Sequence, residues 1–240
     1  MRPAFWAALA CLAVGAFAEE NPNVESVEIA DSGYRFTVDT TEAPDLTEWA
    51  HGQLIPVMIE WYPRIVGMLP GENFTAPKTF SITFEEKYQG VAATGGNRIV
   101  CNPAWYRTQR KGEAIGSLVH ELVHVAQQYR QRGAPGWLVE GIPDYIRWYL
   151  YEPASEGCEI PPDRAARAKH DGSYRVSANF LNFVIGKYDK DFIMEFNAAL
   201  REGRYDAELW KTRTGHAVED LAGEWSKNLE ARVAPEPCPK

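Results

Sequence analysis

The sequence predicts an α+β fold, and three observations carry that prediction. Before Gly112, short runs alternate apolar and polar residues with the period of two that half-buried strands show. From Gly112 onward the apolar period lengthens to the three-to-four spacing of amphipathic helices. Strands gathered in one half and helices in the other favour a sheet beside a helical layer over repeated βαβ units.

The elements follow in order. Residues 24–30 and 34–38 read as strands joined at Asp31-Ser32-Gly33. Residues 44–66 read as a helix, because Leu46, Trp49, Leu54, Val57, Met58, Trp61 and Ile65 fall near helical spacing. Pro56 lacks an N–H and predicts a kink or boundary there. Residues 79–85 alternate again, and 98–101 form a short apolar strand after the Gly95-Gly96-Asn97 turn. Ile115, Leu118, Val119, Leu122, Val123, Ala126 and Tyr129 make the stripe of a long helix expected to stop by Gly133. Helical periodicity returns at 180–185, 192–200, 205–210 and 218–229. The strand-rich part is therefore expected to form a small N-terminal sheet packed on the long helix. No repeat or linker divides the chain, so 24–232 reads as one domain, with a loose, proline-rich tail over 233–240.

Charge and hydropathy exclude other classes. Lys and Arg number 25 against 33 Asp and Glu, a net charge of −8, so the basic face of a nucleic-acid binder is missing. Beyond the N-terminus no apolar run reaches the roughly 18 residues that span a bilayer. The first residues read MRPAFWAALACLAVGAFAEE: a positive Arg2, an apolar run over 4–14 and an Ala16-Phe17-Ala18 cleavage site. That order predicts a signal peptide over 1–18 and a secreted protein, extracellular or periplasmic. Cys101, Cys158 and Cys238 remain after cleavage, enough for one disulfide and one thiol, with the pair left open. Asn73-Phe74-Thr75 fits an N-glycosylation acceptor.

The chemistry concentrates in His120-Glu121-Leu122-Val123-His124. Four residues advance a helix by about 400°, so both imidazoles stack on one face and can reach a single zinc ion. Glu121 lies about 100° round the helix, beside the open coordination position, where a carboxylate accepts a proton from water. A catalytic zinc site needs a third protein ligand. Glu140 supplies it if the chain turns at Gly133-Ala134-Pro135-Gly136 and runs back along the first helix. Asp144, one turn on, can then accept the other ring N–H of a ligand histidine and fix its tautomer. The residues also allow the swapped assignment, with Asp144 on the metal, or a plain structural pair of Asp144 with Arg147. Pro143 predicts that the second helix starts or bends there.

These segments carry a resemblance. His120-Glu121-Leu122-Val123-His124-Val125-Ala126-Gln127, followed by Ala134-Pro135-Gly136-Trp137-Leu138-Val139-Glu140-Gly141-Ile142-Pro143-Asp144-Tyr145-Ile146-Arg147, is similar to the plant basic secretory protein family and its bacterial and fungal relatives. The likeness extends through Gly90-Val91-Ala92, Ser173-Tyr174 and Ala178-Asn179-Phe180-Leu181-Asn182-Phe183. It implies a zincin-like metallopeptidase, and the Glu-x-x-x-Asp spacing resembles gluzincins, which favours Glu140 over Asp144 as the ligand. Two departures stand out. The plant members are basic whereas this chain is acidic, and Pro143 replaces a residue that is usually small.

The expected activity is hydrolysis of peptide bonds in a protein or peptide substrate by a monomer holding one zinc ion, with Glu121 as general base. Tyr174, after the Lys169-His170-Asp171-Gly172 segment, is the candidate second donor to the oxyanion. His170 and His216 are weaker candidates, each expected at the surface. Substrate backbone would add to a strand at 90–94 or 98–101. Two other readings compete: a catalytically silent, metal-stabilised binding or defence protein, and a narrow amidase acting on cell-wall peptides.

Overall fold

A computed structural model describes residues 21–129, 134–172 and 174–233. The expected signal peptide, Gly133, Cys238 and the tail from residue 234 lie outside the described residues. β1 (Val24–Ile29) and β2 (Tyr34–Asp39) form the expected antiparallel hairpin, with Asp31 and Gly33 in the left-handed region of the turn. A 3₁₀ turn at Pro44–Leu46 leads into α1 (Thr47–Trp49), a π turn at Ala50–Leu54 and α2 (Ile55–Met68). The irregularity expected at Pro56 thus takes the form of a π turn ending two residues before it. There the Ile55 N–H reaches back five residues to the Ala50 carbonyl.

β3 (Thr79–Phe84), β4 (Ala92–Gly95) and β5 (Arg98–Cys101) complete one mixed sheet in the order β1-β2-β3-β5-β4. β3 runs parallel to both β2 and β5, while β4 and β5 form a hairpin over Gly96, whose φ is +63°. Tyr62 of α2 packs on Phe80 of β3 at 4.6 Å between centroids, and Phe80 stacks on Phe36 of β2. α2 is thereby fixed to the sheet.

α3 (Pro103–Gln109) was not expected. Its signal is nevertheless present in the sequence: the Asn102 side chain accepts from the Ala104 N–H at 3.0 Å, and Pro103 occupies the first turn. α4 (Ala114–Gln127) is the long helix, and it ends well before Gly133. Gln128 closes it in a left-handed conformation (φ 47°), an unusual role for a residue with a side chain. Its amide offsets the strain by donating to the Gly96 and Val125 carbonyls at 2.7 and 3.0 Å. Arg201 caps the same end by donating to the carbonyls of Ala126 and Gln127.

α5 (Gly136–Tyr145) starts before Pro143 and passes through it, so the helix does not start at that residue. The helix continues instead into a π turn at Ile146–Tyr151 and a 3₁₀ turn at Pro153–Ser155. α6 (Pro162–Ala165), α7 (Tyr174–Lys187), α8 (Phe192–Glu202), α9 (Glu208–Thr214) and α10 (Val218–Val233) make the helical half. α9 begins later than the 205–210 expectation because Asp206 accepts from the Glu208 N–H and holds the preceding turn. Trp210 is buried among Phe180, Phe192, Phe196 and Trp137, which ties α5 to this half. Among the described residues no helix is long and apolar enough to cross a membrane.

Cys101 and Cys158 are free and buried, one at the end of β5 and the other against Trp148 and Ala178. The expected disulfide is therefore not formed between these two.

Candidate metal centre and active-site cleft

α4 is buried nearly all round, so its polar residues face either the core or a cleft. His120, Glu121 and His124 face a cleft of about 1600 Å³, whose lining also includes Thr94, Glu140 and Tyr174. The local reason is helical pitch: one turn separates the two histidines, and their ring centroids lie 4.9 Å apart. α5 brings the third group. Gly141 lets it approach α7 closely, since a Cβ there would lie 3.0 Å from Ser177 Cβ and 3.3 Å from Leu181 Cδ1. With α5 so placed, Glu140 and Asp144 occupy one face and meet the histidines.

The three donor atoms form a nearly equilateral triangle. His120 Nε2 and His124 Nε2 are 3.2 Å apart, and Glu140 Oε2 lies 3.3 and 3.2 Å from them. Tetrahedral zinc with bonds of 2.0–2.1 Å separates its ligand atoms by about 3.3–3.4 Å. The chemistry of the set agrees with the spacing. His120 Nδ1 sits 2.7 Å from Asp144 Oδ1, a carboxylate acceptor, so Nδ1 carries the proton and Nε2 offers a lone pair. His124 Nδ1 is likewise occupied, 2.7 Å from Gln127 Oε1. Lone pairs from three groups thus converge at one point, an arrangement that a cation stabilises. His120, His124 and Glu140 fit a divalent metal ion.

The same geometry governs protons. With no metal bound, burial by itself would lower the His120 pKa, but its hydrogen bonds to Asp144 and Glu140 outweigh this and hold it up at about 9. A metal ion must therefore displace the Nε2 proton to reach its lone pair. Burial by itself would raise Glu140, yet the bonds from His120 and His124 bring it down to about 2. Glu140 therefore stands ready as a carboxylate. The Glu140 charge, with burial next, raises the Tyr174 phenol, so it stays a donor at neutral pH.

Of the residues singled out from sequence, the structure brings His120, Glu121, His124, Glu140 and Asp144 together. Asp144 faces His120 and not Arg147, whose partners are Glu152 and Glu113. Tyr174 begins α7 at 53% exposure, its ring 6.0 Å from that of His120. His170 is not the surface residue expected: it is half-buried against Trp137 and Phe180. His216 is exposed and packs edge-on to Tyr188. Of the two strands considered for substrate, β5 is paired on both sides and cannot accept another strand, whereas β4 is an edge that lines the cleft.

Two residues were missed. The Thr94 hydroxyl on β4 lies 2.7 Å from Glu121 Oε2 and 3.0 Å from the Glu121 carbonyl oxygen. That contact joins residues 27 apart in sequence, and no local pattern announces it. Gln127 stands three residues after His124 on the same helix, a spacing that does place side chains together.

No match is found among curated proteins. Among solved structures, an M1 zinc metallopeptidase from Deinococcus radiodurans, a mutant bound to a Tyr-Ser-Ala substrate, is 14% identical with a TM-score of 0.39. A two-domain M1 zinc metallopeptidase mutant bound to L-arginine is 13% identical with a TM-score of 0.35. Each alignment covers 90% of this chain but 53% of the other, so the chain spans about half their length. Likenesses this distant carry no weight for fold or activity. A family model described as the peptidase of plants and bacteria, BSP, matches residues 62–225, which hold the histidine motif, Glu140 and Asp144 alike. The chain belongs to this family of peptidases, the basic secretory proteins that its motif segments resemble.

Proposed function

We propose that the protein is a secreted zinc-dependent peptidase with zincin-like packing, in which His120, His124 and Glu140 hold one zinc ion. The observation that carries this reading is the donor triangle, with sides of 3.2–3.3 Å. The peptidase family supports the substrate class, and the leader-like N-terminus supports export. When bound, zinc supplies Lewis-acid polarisation of a carbonyl and lowers the pKa of a water in its fourth position.

The chain's own residues do the rest. Asp144 keeps the His120 proton on Nδ1, so the Nε2 lone pair stays directed at the site. Glu121 takes a proton from the attacking water and delivers it to the leaving amine. Thr94 holds one Glu121 oxygen at 2.7 Å, which fixes the carboxylate rotamer. Tyr174 donates a hydrogen bond from its phenol to the oxyanion, and the β4 edge receives the substrate backbone as an added strand.

The test is Glu121→Gln in the full chain. Peptide cleavage is expected to fall by about 10²- to 10⁴-fold while one zinc per chain is retained. Unchanged cleavage overturns the assignment of the base. Zinc without cleavage in the wild type favours a binding protein, and cleavage confined to cell-wall peptides favours the narrow amidase.

A further inference from the structure

Pro143 lies inside α5, and proline brings two local consequences. It has no N–H for the carbonyl four residues earlier, that of Val139, and its ring crowds that carbonyl outward. The freed oxygen does not go unpaired. Gln127, at the last turn of α4 and 2% exposed, donates Nε2–H to Val139 O at 3.1 Å. The other end of the same amide faces the metal centre, with Oε1 2.7 Å from His124 Nδ1.

We infer that Pro143 and Gln127 are positioning residues that fix His124 as a metal ligand. A carbonyl only accepts, so the contact with Val139 commits the Gln127 nitrogen to that side and turns its oxygen toward the imidazole. An amide oxygen also only accepts. His124 Nδ1 must therefore donate, and Nε2 is left with its lone pair toward His120 and Glu140. Flipping the amide would set its oxygen against the Val139 carbonyl and its NH₂ against Nδ1. The imidazole proton would then move to Nε2 and point into the donor triangle. His120 receives its orientation from a charged carboxylate, whereas His124 receives it from a neutral amide whose direction a helix-interior proline enforces. The departure at position 143 thus acquires a role, which rests on His124 being a ligand as proposed above.

The test compares zinc affinity, by competition with a chromophoric chelator, in the full-length wild type, Gln127→Met and Pro143→Ala. Metal-free thermal melting is recorded alongside. Gln127→Met keeps the buried volume but removes the amide, and is expected to weaken zinc binding by about 10- to 100-fold, as loss of an outer partner does. Pro143→Ala returns a donor to Val139 and removes the ring. Its metal-free form is expected to melt higher than wild type, while its zinc affinity falls several-fold. Opposite signs in the two readouts are what a purely structural role would not give. Wild-type zinc affinity in both variants overturns the inference while leaving the zinc site intact. Failure of the wild type itself to bind zinc overturns the proposed function, and this inference with it.

Discussion

α4 and α5 contribute to one site in different ways. α4 is an uninterrupted helix, buried on nearly every side, and it delivers His120, Glu121 and His124 by pitch alone. α5 is shorter, carries a proline in its interior and runs straight into a π turn. Its Glu140 and Asp144 also share a face by pitch, but they meet the histidines only because α5 packs between α4 and α7. The first contribution is secondary structure and the second is tertiary structure. A change on α5 can therefore disturb the site without touching a ligand, whereas a change on α4 outside its motif and Gln127 disturbs mainly the core.

The largest expected effect removes a proposed ligand from either helix. His124→Ala and Glu140→Gln should each weaken zinc binding by more than the roughly 10- to 100-fold typical of outer partners, measured by chelator competition. If Glu140→Gln binds like wild type, α5 supplies no ligand and the comparison between the helices fails. Metal removal should show the same dependence in stability. At zinc a thousandfold above its Kd, linkage stabilises the fold by about 4 kcal/mol. For a chain of this size, a chelator should then lower the melting temperature by about 8–16 °C. A smaller step sharpens the contrast within α5. Asp144→Asn keeps shape but replaces a carboxylate that can only accept by an amide free to flip against His120 Nδ1. Zinc affinity should fall by about 10- to 100-fold, and the metal-free form should melt lower at neutral pH, because the buried bond from His120 to the Asp144 carboxylate is lost.

Legibility in the sequence follows the same division. The histidine motif could be read because its geometry is helical pitch. The roles proposed for Glu140 and Asp144 rest on spacing joined to a family resemblance, since nothing local says that α5 returns along α4. The β1–β2 hairpin and the β4–β5 turn could be read because Gly33 and Gly96 are needed at positive φ. The end of α4 could not, because Gln128 takes a conformation that glycine usually takes and compensates with bonds to Gly96 and Val125. Thr94 was missed for a similar reason: the sheet brings it to Glu121, and the pattern of β4 alone does not. The Asn102-Pro103 start of α3 was readable, but the helix is too short to show a period.

The smallest expected effect tests the packing itself. Gly141 is at a helix-interior position, where alanine would normally gain about 0.5–1 kcal/mol. Against this, the new Cβ would meet Ser177 Cβ at 3.0 Å and Leu181 Cδ1 at 3.3 Å. Both neighbours are fully buried on α7, so neither has open space to move into, and overpacking of this kind costs about 1–3 kcal/mol. The balance is a net loss of about 1 kcal/mol, or about 2–4 °C in melting temperature. Relief comes from moving α5 away from α7, and Glu140 and Asp144 are carried with it. Gly141→Ala should therefore lower zinc affinity although the new methyl faces α7 and not the donor triangle. An alanine there that destabilises the fold yet leaves zinc affinity at the wild-type value would show that α5 can shift without the site following. The distinction drawn between the two helices would then be lost.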